Sequence, residues 1–306
     1  MLSDGYFPRG NSMLRRVQEE RVVGLFYGQR ALCIGALAPL NYVGTAEHTT
    51  AKLTPFKRLV HTANAFEKIF FGSRAEADLV LKSVARMHDR VNGGMPFDAG
   101  PVAHGTHYSA YDPELMLWTM AVMADSAQCF YELLVRRLDA SEREALWQDY
   151  VRFAELFGMP RDAAPPSYPD FRRWWRGKLA SDEMYLTDEA RYVGYATAFE
   201  IPLPRLNQPG KRVHDAIMLG SLPARVRELY GLRYGPRDQA AFHAGVALIR
   251  SGRRVTPRPL ARGYNKRSFE LVARTERERV ARGKPTPQIL EDGPAGPGIE
   301  VVQRAA

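Results

Sequence analysis

The sequence predicts an all-α protein, and three observations carry that reading. Apolar residues recur at three- and four-residue spacing in one segment after another. Helix-starting residues stand where those segments begin, and glycine or asparagine stands where they end. No stretch alternates apolar and polar residues as a half-buried strand does, and no internal repeat is present.

The segment from Leu14 to Pro39 opens as a charged helix and passes into the apolar run VVGLFYGQRALCIGALAPL, which predicts a buried helix over 30–37. Thr54-Pro55 reads as an N-cap followed by proline at the first helical position, and the helix it starts runs to Phe71 before Gly72. Ser73-Arg74-Ala75-Glu76 has the form of a capping box. In the helix that follows, Ala77, Leu81, Val84, His88 and Val91 keep a 4-3-4-3 spacing that places them on one face. Asn92-Gly93-Gly94 ends it, and 95–110 reads as an ordered loop. Asp112-Pro113-Glu114 starts a helix to about Leu138 whose circumference is apolar almost throughout, as expected of a central element. Ser141 and Glu144 cap another helix, ending near Gly158. The stretch 158–169 is the best candidate for a subdomain boundary. Further helices are expected over 168–181, 188–199, 223–230 and 237–251, with a charged helix or tail over 262–282. Beyond Lys284 the chain is Pro- and Gly-rich, a composition expected to stay disordered.

Composition bounds the function. With 306 residues, 45% of them hydrophobic, the chain can bury a substantial core. No run of about 18 apolar residues exists to span a membrane. The charged N-terminal stretch does not read as a secretory signal. Only Cys33 and Cys129 are present, too few for a disulfide framework or a thiolate metal cage, so a reducing cytoplasm is the expected location. The net charge of +9 invites a nucleic-acid reading. The excess is scattered arginine, however, concentrated in the last third, and no nucleic-acid motif accompanies it.

His88 is the first candidate for chemistry. A core histidine satisfied by a hydrogen bond explains its place on an apolar face; so does an iron ligand, since a buried imidazole needs a partner for each ring nitrogen. Arg58, Arg86 or Arg90 could then meet haem propionates. Arg58, His61 and Thr62 fall at i, i+3 and i+4 and share a face, though a solvated helix surface gives the same triplet. His104 and His107 form a loop H-x-x-H without a third ligand, and Glu47-His48 follow an apolar stretch where a base near a pocket could stand. His214 and His243 have no companions. No Ser-His-Asp order, G-x-S-x-G or H-E-x-x-H motif supports a hydrolase.

Taken in order, a set of motifs resembles one family. They are Gly35-Ala36-Leu37-Ala38-Pro39, Arg58-Leu59-x-x-Thr62, Phe71-Gly72, His88-x-x-Val91-x-Gly93, Tyr108-Ser109-Ala110-x-Asp112-Pro113-x-Leu115-x-x-Trp118, Gly158-Met159-Pro160 and Leu222-Pro223-x-x-Val226-Arg227-x-Leu229-Tyr230. Together they cover about residues 20–235 and are similar to the haem-dependent oxygenase domain shared by latex-clearing rubber oxygenases and the MpaB-type enzyme that shortens the prenyl chain in mycophenolic acid biosynthesis. The resemblance implies a single multi-helix domain enclosing a haem b pocket, over residues 20–282, between an N-terminal extension (1–19) and the disordered tail (283–306). It implies His88 as proximal iron ligand, with Arg58 and Thr62 on the distal side. His61 stands where the rubber-cleaving branch can carry lysine, and Met120 where the family often has histidine. His61 is therefore expected beside the iron, bonding to bound oxygen in preference to ligating the metal.

The expected function is a haem b-dependent oxygenase acting with O2 on a small lipophilic substrate, an alkene or prenyl-bearing molecule. Polyisoprene is not expected, because the long extra segments of rubber oxygenases are lacking. The alternatives are a non-catalytic haem or lipophile carrier and a basic helical nucleic-acid-binding protein. An intact Arg58/Thr62 pair favours the enzyme, since a carrier needs no distal cation.

Overall fold

The computed structural model describes residues 5–48 and 55–283. The expected N-cap Thr54 and the tail beyond Gly283 lie outside the described residues. The protein is all-α. In chain order the helices are α1 (Met13–Gln18), α2 (Arg21–Gly24), α3 (Tyr27–Gly35), α4 (Pro39–Glu47), α5 (Pro55–Phe71), α6 (Arg74–His88), α7 (Pro113–Leu134), α8 (Ala140–Glu155), α9 (Tyr168–Ala180), α10 (Asp188–Phe199), α11 (Gln208–Ser221), α12 (Ala224–Leu229), α13 (Pro236–Val255), α14 (Arg258–Ala261) and α15 (Lys266–Ala281). Among the described residues no single helix is long and apolar enough to cross a membrane.

The cap signals work as local chemistry requires. Ser73 and Glu76 complete a reciprocal capping box, so two of α6's orphan donors are satisfied within its first turn. Asp112 accepts from the backbone of Glu114 and Leu115, with Pro113 at the first helical position of α7. Asp139, rather than Ser141, caps α8 through a second capping box with Glu142. The proposed stripe on α6 is cut short: the helix ends at His88, so Val91 belongs to the loop beyond it.

α7 is the central element, buried around most of its circumference, with α3 packed along it and α10 behind α3. The N-terminal residues are part of the same core: Phe7, Leu14 and Val17 are fully buried, and α1 packs against α5, α7 and α8. The stretch 158–169 does not divide the molecule. Trp147 of α8 stacks on Phe171 of α9 with ring centroids 4.0 Å apart, and its indole donates to the carbonyl of Pro165 at 2.9 Å. One continuous apolar core therefore runs through both sides of that break.

A short hairpin interrupts the helices: Asn92–Gly94 (β1) pairs antiparallel with His107–Ser109 (β2). Its presence explains Gly93, since a Cβ there would stand 2.7 Å from the Tyr108 hydroxyl. The hairpin covers a small second core of Val43, Met95, Ala99 and Tyr108.

Candidate active site

Helices α3, α4, α5, α7 and α10, with Gln18 of α1, Gly24 of α2 and the segment from Gly263 to Phe269 at the start of α15, line an apolar cavity of ≈ 270 Å³. α5 contributes an entire face, because Arg58, Leu59, Thr62, Ala63, Phe66, Glu67 and Phe70 all line it. Trp118 of α7 presents its ring to the cavity while its indole N–H is satisfied by the Gly35 carbonyl at 3.1 Å. Close helix packing behind the wall depends on Gly194 of α10: a Cβ there would fall 2.1 Å from the Tyr230 hydroxyl, which donates to the Cys33 carbonyl at 2.7 Å.

The wall also carries polar side chains, among them Gln18, Gln29, Glu67 and Asn265. Arg58, Tyr42 and Asn41 line one side of the cavity. The Asn41 side chain donates to the Leu115 carbonyl and to Thr119 Oγ1, both at 2.9 Å, and its Oδ1 is buried with no partner among the described residues. Glu189, 3% exposed in the first turn of α10, faces Tyr42 without completing a well-aligned hydrogen bond. Burial raises the Glu189 carboxyl above the ordinary carboxylate range, and the Tyr42 hydroxyl partly offsets that. Burial also raises the Tyr42 phenol, with Glu189 adding to the effect and Arg58 opposing it. For Arg58 burial lowers the guanidinium below its usual value and Tyr42 opposes the shift. Tyr42 is thus coupled both to Arg58 in the wall and to Glu189 behind it.

A stability consequence follows, with a definite sign. The folded-state pKa of Glu189 lies above its unfolded value of roughly 4.3. Its stabilising contribution is therefore complete below that value and is lost as pH rises through the folded pKa. Glu189→Gln removes the buried charge, so its melting temperature should exceed wild type at about pH 7. The advantage should vanish at about pH 4, where both side chains are neutral. A melting curve with no pH-dependent gap between the two proteins would show that the carboxyl carries no such penalty.

The residues singled out from the sequence are only partly brought together. Arg58 and Thr62 line the cavity, Thr62 while itself still exposed, whereas His61 is exposed and does not line it. At about 100° per residue, the inward face of α5 centres between Phe66 and Leu59, and His61 lies roughly 150° from that centre. Sharing a face with Arg58 at i+3 therefore did not carry it inward. His88 is half-buried at the end of α6 and is also outside the cavity wall. Its ring lies 6.0 Å from Tyr111 and 6.3 Å from Phe157, and Phe157 in turn lies 6.5 Å from Phe66 of the wall. Burial lowers the His88 imidazole below the usual histidine value, with Asp89 opposing the shift, so the ring is neutral at neutral pH.

The remaining histidines belong elsewhere. His104 and His107 are exposed on the hairpin side. Glu47 accepts from the Tyr108 hydroxyl at 3.2 Å, with His48 Nε2 at 3.4 Å from it, so this pair clamps α4 to the hairpin. The Tyr108 phenol is pushed up to about 12 by its burial and then by Glu47. His214 stacks on Phe26 at 4.7 Å, and His243 is exposed. Met120 is buried in α7. Arg86 and Arg90 are exposed and do not line the cavity.

No described histidine or cysteine lines the cavity, so a haem bound there would take its imidazole from beyond the wall. Among the described residues no three His, Cys, Asp or Glu side chains come together. A haem iron asks the protein for one imidazole, and His88 offers a neutral one behind Phe157, one ring removed from the wall. The two cysteines are free, and burial raises both thiols, Cys33 to about 12, which leaves neither a ready thiolate ligand.

Tyr42, Asn41, Trp118 and Glu189 were not legible as site residues. Tyr42 sits in a helix hidden inside an apolar run, and Glu189 reads as an ordinary acid in a first helical turn.

Comparison with known proteins adds the family. Residues 15–251 match the profile described as ER-bound oxygenase mpaB/B'/Rubber oxygenase, catalytic domain. Two curated relatives are an uncharacterised protein of Mycobacterium tuberculosis and one of Mycobacterium bovis. Each is 23% identical over 203 residues, which cover 66% of this chain and 76% of the relative. No solved structure matches the chain.

Proposed function

Since the chain belongs to the family of mpaB-type and rubber oxygenase catalytic domains, we propose that it is a haem b-dependent oxygenase acting with O2 on a small lipophilic substrate that carries an alkene. The observation that carries this reading is the apolar cavity with Arg58 and Thr62 in its wall. Those two positions match the family's distal pair in the resemblance drawn from sequence.

Haem b, when bound, supplies the iron at which O2 is activated for attack on a carbon–carbon double bond. His88 would hold it through a ring nitrogen. The protein's own residues do the rest. Phe66, Phe70 and Trp118 surround an apolar substrate and exclude water from it. Arg58 places a fixed cation beside the reacting region, where negative charge developing on oxygen is stabilised more strongly than in water. The Thr62 hydroxyl donates a hydrogen bond to the same region. Burial disfavours the charged form of the Glu189 carboxyl, which stands next to the Tyr42 hydroxyl.

A distal cation inside the wall favours an enzyme over a carrier, because storage of a lipophile needs no charge there. The test is O2 uptake by haem-loaded, reduced protein given a terpenoid alkene, with a carbonyl product as the expected outcome. Haem-loaded protein that holds the alkene yet neither consumes O2 nor yields a carbonyl would establish the carrier reading. In the same assay His61→Ala should leave both the ferric electron paramagnetic resonance signal and turnover within twofold of wild type, because the imidazole lies on the outer side of α5. A low-spin wild-type signal turning high-spin in the variant would contradict that placement.

A further inference from the structure

A second recess adjoins the apolar cavity, and four residues, Glu67, Phe71, Gly263 and Tyr264, line both. The outer recess differs in chemistry. Arg9, Arg15, Arg16, Arg258 and Arg262 line it, against the carboxylates of Glu19 and Glu67. Two of these cations are already matched: Arg16 pairs with Glu142 at 3.2 Å, and Arg262 pairs with Glu19 and Glu20 at 3.0 Å each.

Arg15 is different. It is only 5% exposed, and its Nη1 donates to two neutral carbonyls, those of Phe7 at 3.0 Å and Phe70 at 3.3 Å. Its Nε is buried without a partner, and no carboxylate lies within ion-pair distance of it among the described residues. The guanidinium rests over the Phe71 ring, 5.4 Å from its centre, so it is held in place facing the recess. A buried guanidinium keeps its charge, and leaving it uncompensated is costly. Arg9 and Arg258, on the rim, also form no ion pair among the described residues. Among the described residues, Arg9, Arg15 and Arg258 thus stand around one recess without an ion pair, although Glu19 lies near enough to favour the Arg15 charge.

We propose that the outer recess takes the carboxylate or phosphate head of an amphipathic substrate whose apolar tail fills the inner cavity. Planar guanidinium groups recognise both heads through paired N–H donors. Glu67, at the neck, sets the polarity of entry, because its carboxylate repels an anionic head and leaves the inner cavity to the tail. The inference rests on the inner cavity being the substrate site and names the class of molecule that fits both recesses.

Binding of dodecanoate, dodecyl phosphate and dodecanol to the full chain, followed by calorimetry at fixed ionic strength, tests it without turnover. At least one anionic amphiphile should bind about tenfold more tightly than dodecanol, and the tighter of the two identifies the head. Arg9→Gln combined with Arg258→Gln, both exposed and safe for folding, should weaken the anion about tenfold and leave dodecanol unchanged. Arg15→Gln should do the same wherever its circular dichroism matches wild type. Equal binding of all three probes overturns the proposal. So does an arginine-dependent affinity for a single-stranded oligonucleotide with none for the amphiphiles. Because no oxygen chemistry is read, a protein that turns over neutral alkenes but ignores head charge refutes this inference alone, and one that binds the acid without turnover refutes only the oxygenase reading.

Discussion

Replacing Asp125 by alanine should lower the unfolding free energy by about 3–5 kcal/mol, the cost of leaving a buried charge without its partner. Asp125 is 7% exposed in the middle of α7 and meets two guanidinium groups. Arg30, 3% exposed, reaches its Oδ2 at 2.8 Å and also donates to Ser126 Oγ at 2.8 Å and to the Ser221 carbonyl at 3.1 Å. Arg172 of α9 binds the other carboxylate oxygen. Asp125 therefore ties α3, α7 and α9 together, and Arg30 extends the network to the end of α11. Without Asp125, Arg172, one-third exposed, can turn to solvent, but Arg30 cannot. Urea unfolding of Asp125→Ala measures the loss, and Asp125→Asn, which keeps hydrogen-bonding capacity, should lose less. A change below about 1 kcal/mol, the scale of an exposed pair, would mean that the buried network contributes no more than a surface one.

Arg58→Leu should reduce turnover of the alkene about 100-fold, the scale of deleting one positioned donor from a site that stabilises developing charge. Leucine fills part of the same apolar wall, so the fold and haem content should be retained. The split between parameters matters: a group acting on the reacting oxygen affects kcat with little change in KM. A variant with unaltered kcat and raised KM would make Arg58 a substrate contact only.

Much of the helical framework was legible because its signals are local. The capping box at Ser73–Glu76, the Asp112-Pro113 start and α10 over Asp188–Phe199 stand where the sequence puts them. What escaped was of three kinds. α4 and α11 were missed because glycine and proline interrupt their patterns, and because α11 buries fully only Ile217 and Met218. The strands of the hairpin are three residues long, too short to show a period of two. Long-range charge pairing was the third: Arg30 and Asp125 are 95 residues apart, and Glu20, 1% exposed, is held by Arg253 and Arg262 from the far end of the chain. A hydrophobic period says which residues go inside but not which charges travel with them.

The candidate site divides along the same line. The i, i+4 spacing put Arg58 and Thr62 on one side of α5 but fitted a solvated surface equally; that both line a pocket is what the family resemblance implied. The exposure of His61 was not readable, because three- and four-residue neighbours fix a side of the helix only once the centre of its buried face is known. The place of His88 depends on a contact with Phe157, which follows α8, and no pattern within α6 reports that contact.

The claim on which the rest depends is that His88 holds haem for the cavity walled by Arg58 and Thr62. It is tested most directly by the absorption spectrum of protein expressed with added haem, wild type beside His88→Ala. Wild type should show a Soret band, and His88→Ala should lose it while keeping its helical circular dichroism. A His88→Ala protein that binds haem as tightly as wild type, or one that keeps its colour and loses only stability, would contradict the assignment and leave His88 as a packing residue beside Tyr111 and Phe157.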